Sequence, residues 1–236
     1  MATDTKLRAG ALDEAGPFRP NRTLAAYDRI KREIMDNALP PGFSALETEL
    51  ADRLGFSRTP VHEALVKLAE EGLIEVKPRR GMRVLPISVA EMRDIYDLLQ
   101  ILEPECAASL ARDGLTEAEL KRLGKSVDDM EAALRTGKLK RWAAADDRFH
   151  RLHLEFTRNR RLARIISQML DQAHRVRMFT LPLREIPQKS TDDHRAMVDR
   201  LRDGDARAVR RLYREHRQKA AVELFEILER FEQKAF

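Results

Sequence analysis

The chain has 236 residues, of which 43% are hydrophobic and 35% charged, and a formal net charge of +5 at pH 7. That length admits one large domain or two ordinary ones. No apolar run approaches the roughly 20 residues a membrane-spanning helix needs, and the single Cys106 excludes an internal disulfide framework.

Asp4, Asp13 and Glu14 interrupt the N-terminus where a secretory signal has its apolar stretch, so the expected location is the cytoplasm. Cys106, beside Ala107 and Ala108, reads as a small core residue. The basic excess permits a polyanionic partner without establishing one, because acidic residues nearly balance basic ones along the whole chain. A nucleic-acid reading must rest on where the charges sit.

Residues 1–22 mix Gly, Pro, Asp and Arg without periodicity and read as a mobile arm. Thr23 can cap a helix with Leu24, Tyr27, Ile30 and Ile34 at steps of three and four. Asn37 and the turn Pro40-Pro41-Gly42 end it. A second helix, Glu47–Leu54, presents Leu50, Ala51 and Leu54 on one face and stops at Gly55, which suits a left-handed cap. Ser57 can cap a third helix carrying Val61, Ala64, Leu65 and Leu68. Pro60 falls in its first turn, where a missing N–H costs little. Past Gly72, residues 73–76 and 82–85 are short β-type runs flanking the hairpin tip Lys77-Pro78-Arg79-Arg80-Gly81.

Three helices and a hairpin make a winged helix-turn-helix over 23–86, with Pro86 at its boundary. Beyond it no strand is predicted. Helical patterns cover 89–112, 116–135, 139–157, 160–180, 190–203 and 205–232, with Ser88, Thr116 (paired with Glu119 in a capping box) and Asp205 as caps. The predicted class is mainly α: the winged helix-turn-helix, then an antiparallel bundle of about six helices over 87–236.

A helix-turn-helix places its second helix in the major groove and offers the N-terminal side chains to base edges. Here that helix begins Ser57-Arg58-Thr59-Pro60-Val61-His62. Arg58 can grip guanine in a bidentate contact or clamp a phosphate, and Ser57 and Thr59 can bond phosphates beside the helix N-terminus. In the wing, Lys77, Arg79, Arg80 and Arg83 follow one another without an intervening acid, and Gly81 allows close backbone approach to a duplex.

These residues carry a resemblance. The stretches Leu39-Pro40-Pro41-Gly42, Glu49-Leu50-Ala51, Leu54-Gly55-Phe56-Ser57-Arg58-Thr59-Pro60-Val61, Glu63-Ala64-Leu65, Glu71-Gly72-Leu73-Ile74 and Arg79-Arg80-Gly81, in that order, resemble the GntR winged helix-turn-helix. The resemblance implies a regulator that binds double-stranded operator DNA as a homodimer. His62 stands where that family usually has a DNA-contacting Arg, and Thr48 where it often has a basic residue. Both departures remove fixed positive charge and imply either an altered operator preference or phosphate anchoring shifted to Arg58 and the wing.

In the helix around 139–157, Asp146 and His150 are i,i+4 neighbours on one face, so they can grip one divalent ion. His194 and His216 lie on later helices. Three histidines and one carboxylate from three helices suit zinc, nickel or another borderline transition metal. His153 shares the face of Asp146 and can replace one of the others; His174, among Arg175 and Arg177, reads as polar surface or pocket lining.

The region from 89 to 232 resembles the FCD ligand-binding domain of FadR-like GntR regulators. The resemblance is carried by Tyr96, Leu102-Glu103, Ala107-Ala108, Asp146-Asp147-Arg148-Phe149-His150, Asn159, His194, Gly204-Asp205, Ala208 and His216. It implies metal ligation by Asp146, His150, His194 and His216, with His153 left out, and a small organic acid as effector on the metal. Arg148, Asn159, Arg175 and Arg177 are the polar residues put forward to complete the effector pocket. Leu98-Leu99-Gln100 stands where the family frequently has Arg, so the effector's identity does not carry over. A metal-free sensor and a metal-dependent hydrolase are the competing readings. The hydrolase lacks any separate general-base signature, and the chain is not expected to be an enzyme.

Overall fold

The computed structural model describes residues 22–77 and 80–232, with side chains described as far as Arg230. Among the described residues the chain forms nine α-helices, one 3-10 turn and one three-stranded antiparallel sheet. The expected arm over 1–22 lies, Arg22 apart, outside the described residues.

Helix α1 (Arg22–Met35) buries Ala26, Ile30 and Ile34, one residue per turn. It starts two positions earlier than expected, so Thr23 sits inside the first turn and its hydroxyl donates to Glu63 at 2.5 Å. Asn37 adopts φ 58, the left-handed conformation that ends the helix. Helix α2 (Glu47–Leu54) stops at Gly55, whose φ of 73 caps it as the sequence predicts. Helix α3 (Arg58–Glu70) turns Val61, Ala64, Leu65 and Leu68 onto α1 and α2. Each of the buried Val and Leu side chains contributes about 1.5–3 kcal/mol. Ser57 occupies the cap position of α3, but its side chain makes no capping hydrogen bond.

The hairpin strands β2 (Ile74–Lys77) and β3 (Gly81–Val84) form as expected, and β3 also pairs with a strand absent from the sequence reading, β1 (Ser44–Ala45). Two residues are too short for alternation to register. This extra strand gives Gly81 a second role: a Cβ there would lie 2.1 Å from the Ala45 carbonyl oxygen, and the residue has φ +74. Glycine is required by the sheet itself.

The C-terminal part is α4 (Val89–Asp113), α5 (Glu117–Arg135), α6 (Leu139–Phe156), α7 (Arg160–Thr180), α8 (Gln188–Arg202) and α9 (Ala206–Glu232), with a 3-10 turn at Leu181–Leu183. The expected caps form: Ser88 accepts from the Glu91 N–H, Thr116 and Glu119 close a capping box, and Asp205 accepts from the Ala208 N–H. One apolar cluster joins α5, α6 and α8 through Leu123, Met130, Trp142, Phe149 and Met197. Another joins α4, α7 and α9 through Tyr96, Ile166, Leu170 and Leu224. The polar side chains described below lie where the two clusters meet.

Helix α7 is also the bundle's contact with the winged helix. Asp171 pairs with Lys31 of α1 at 2.6 Å, Gln172 donates to the Gly72 carbonyl at 3.4 Å, and Arg175 donates to the Leu85 carbonyl just before Pro86.

Candidate metal centre and nucleic-acid interface

The outer face of α3 presents Arg58, Thr59, His62, Glu63 and Val66, all exposed. Arg58 makes no ion pair among the described residues and stays open to a partner. His62, one turn further on, is already held: its Nδ1 lies 3.0 Å from Glu47 Oε1 of α2. That contact places the proton on Nδ1 and turns Nε2 outward.

In the wing, Arg80 is exposed, whereas Lys77 lies 2.9 Å and Arg83 4.0 Å from Glu75. The basic run is therefore less free than its sequence suggests. An acid two positions before it lies directly across the ladder from Arg83. Arg79 lies outside the described residues.

Inside the bundle, α6, α8 and α9 bring His150, His194 and His216 together, with ligand nitrogens within 4.8 Å of one another and all three rings buried. His194 Nε2 lies 3.3 Å from His150 Nε2. Asp146 flanks the group, its Oδ1 3.6 Å from His194 Nε2 and its Oδ2 4.0 Å from His150 Nε2. Carboxylates back the rings from outside: Glu103 Oε1 is 3.2 Å from His150 Nδ1, and Asp193 Oδ2 is 3.6 Å from His216 Nδ1. Such outer partners help orient the rings. Burial pushes the His194 pKa down to about 3 and that of His150 well below its ordinary value, with nearby positive charge adding to the effect. For His150 and His194 this favours the neutral imidazole, the form that ligates. This donor set, three imidazole nitrogens beside a carboxylate, fits a borderline divalent ion such as zinc or nickel.

His153 stays out of the group. Its Nδ1 faces the Phe149 carbonyl at 2.9 Å and its Nε2 the Tyr213 hydroxyl at 2.8 Å, so both nitrogens are engaged. Burial lowers its pKa to about 4.

Of the four side chains put forward for an effector pocket, only Arg177 reaches the cluster. Its Nη1 lies 2.6 Å from Asp146 Oδ2, a close ion pair whose angle is not that of an aligned hydrogen bond. Burial opposes the charged form of Asp146, but the Arg177 guanidinium outweighs it and holds the carboxyl well below the usual range. Arg148 instead points to the α5 side, 2.6 Å from Asp129. Asn159 caps α7, accepting from the Leu162 N–H at 3.0 Å. Arg175 clamps the segment before Pro86, and burial lowers its pKa to about 10. Short helix-end and inter-helix demands took these three.

Sequence reasoning missed Glu103 and Arg217. They form a fully buried bidentate pair across α4 and α9, with Arg217 Nη2 also 3.1 Å from His150 Nδ1. Only the position of Arg217 directly after His216 hinted at it.

Residues 22–84 match the family described as bacterial regulatory proteins, gntR family, and residues 94–219 match the FCD domain. The chain belongs to the GntR family of regulators that carry an FCD domain. It is 40% identical over 148 residues to an uncharacterized HTH-type transcriptional regulator in the TAR-I ttuE-ttuC' intergenic region of Agrobacterium vitis, covering 62% of this chain and 84% of that one. It is 29% identical over 202 residues to the HTH-type transcriptional repressor RspR of Escherichia coli (strain K12), covering 85% and 88%. Among solved structures, E. coli McbR/YncC shares the fold with a TM-score of 0.80 at 21% identity, over 89% of this chain and 100% of that one. The family and these relatives are transcription regulators, not enzymes. No helix among the described residues is long and apolar enough to cross a membrane.

Proposed function

We propose that this GntR regulator binds operator DNA in the cytoplasm as a homodimer, and that a small organic acid at a divalent metal sets its operator affinity. The observation that carries the metal reading is the buried convergence of three histidines from three helices beside Asp146. Zinc or nickel held by Asp146, His150, His194 and His216 would supply a Lewis-acidic position for an effector carboxylate. The protein's part is to bury the imidazoles, orient them through Glu103 and Asp193, and tie three helices together. On the DNA side, Arg58 reads a base edge while Ser57, Thr59 and the wing bases Arg79 and Arg80 hold phosphates. Homodimerisation supplies two recognition helices for two half-sites, since one alone covers few base pairs.

Elemental analysis and thermal melting of wild type, His194→Ala, His216→Ala and His153→Ala test the site. The first two substitutions should abolish metal and lower the melting temperature. His153→Ala should retain metal although it leaves Tyr213 without its partner. Metal lost in His153→Ala but kept in His216→Ala would mean a different fourth ligand. Protein without metal after growth in added zinc or nickel would favour a metal-free sensor.

A further inference from the structure

The one charged side chain that α7 sends to the histidine cluster is Arg177, and it holds the carboxylate a metal would need. Asp146 and Arg177 are both buried, and among the described residues no other carboxylate faces this guanidinium at ion-pair distance. The pair is therefore matched one to one. Asp146 cannot ligate a divalent cation and keep its full attraction for Arg177, because two cations would then share one carboxylate in a site screened from water.

The same helix carries the contacts to the winged helix. Six residues before Arg177, about 9 Å along the axis, Asp171 makes its partly buried pair with Lys31. Lys31 also reaches Glu71, 2.8 Å away at the end of α3. Gln172 and Arg175 hold the backbone at Gly72 and Leu85. A second route starts beside Asp146: Arg151 bridges Asp147 and Asp171, at 2.7 Å to each. Thus both neighbours in sequence, Asp146 and Asp147, have cationic partners that lead to α7.

We propose that Arg177 is the positioning residue that couples the histidine cluster to the DNA-binding part. It competes with metal for Asp146, and its release from that carboxylate changes the hold of α7 on α1 and on the segment before Pro86. The inference rests on the metal reading above and adds how the site is heard at the operator. A shared element biased from both ends is what coupling between two sites requires.

The test uses the full chain, zinc alone as the probe, and an operator selected from random DNA by the purified protein. Zinc affinity is read by competition with a chromophoric chelator, and operator affinity by fluorescence anisotropy. In wild type, zinc should change operator affinity about fivefold or more. Arg177→Gln should bind zinc about tenfold more tightly, having lost the competing cation, and its operator affinity should no longer respond. Arg177→Lys restores the charge and should restore both values toward wild type. Asp171→Asn should keep wild-type zinc affinity and lose the response; it also carries the test if Arg177→Gln fails to fold. Zinc bound by wild type with Arg177→Gln unchanged in affinity or response overturns the role of Arg177 and leaves the metal reading standing. Wild type that binds zinc without any change at the operator also overturns it. Wild type that binds no zinc overturns the metal reading and this inference together.

Discussion

Arginine does opposite work in the two halves of this regulator. On the winged helix, Arg58 and Arg80 are exposed and make no side-chain ion pair among the described residues. In the bundle, Arg177 and Arg217 are buried and each is matched to one carboxylate. The exposed pair keeps its hydrogen-bonding capacity for a polyanion and costs the fold nothing. The buried pair is committed, because an unpaired charge there would be costly. Exposed arginines can thus be removed at the expense of function alone, whereas buried ones carry stability and function together.

The largest expected effect comes from breaking that rule at Arg217. Arg217→Ala leaves the buried Glu103 without its guanidinium partner, which costs about 3–5 kcal/mol. For a chain of this size that lowers the melting temperature by on the order of 10 °C. Replacing both partners, Glu103→Leu with Arg217→Met, should recover much of the loss, since a well-packed apolar pair of similar volume is often neutral. Thermal melting of the two singles and the double decides it. A single variant that melts with wild type would show that the pair is not holding α4 to α9.

The contrast also explains what the sequence made legible. Helix ends and caps are local, so Ser88, Thr116 and Asp205 could be read directly, and so could the six long amphipathic patterns. The strand at Ser44–Ala45 could not, because its pairing with β3 is decided by chain far along the sequence. In the site, Asp146 and His150 share one helix and their i,i+4 spacing is visible. The remaining ligands needed the resemblance to be chosen over His153, whose engagement with Tyr213 appears only in three dimensions. Arg177 facing Asp146 and Arg217 facing Glu103 are contacts between separate helices, with no spacing to mark them. Exposed function sits in short motifs; buried function sits in tertiary pairs.

Arg58→Ala is the matching experiment on the exposed side. It sits in the first turn of α3 with no partner to strand, so the melting temperature should not move. Loss of a good base contact should cost about 1–3 kcal/mol of specific binding. Competition between the selected operator and random DNA should show discrimination falling with it. Wild-type discrimination in Arg58→Ala would place base reading elsewhere on the α3 face, with His62 next to examine because Glu47 already fixes its ring.

The smallest effect, and the finest test of the comparison, lies in the wing. Lys77, Arg80 and Arg83 are all exposed, but Glu75 lies 2.9 Å from Lys77 and 4.0 Å from Arg83. Only Arg80 of these three has no carboxylate partner among the described residues. A phosphate contact by Arg80 is therefore made without first giving up an ion pair, whereas Arg83 must share its charge. Arg80→Ala should weaken binding to selected and random DNA by the same factor. The slope of log affinity against log salt should become shallower by about 0.9, the loss of one neutralised phosphate on B-form DNA. Arg83→Ala should change that slope less, and Glu75→Gln should bring the effect of Arg83→Ala up to that of Arg80→Ala. Salt titrations of the four proteins on both DNAs make the comparison. Loss of preference at one operator position in Arg80→Ala, rather than a uniform loss, would make Arg80 a base reader and remove the wing from the phosphate-anchoring role.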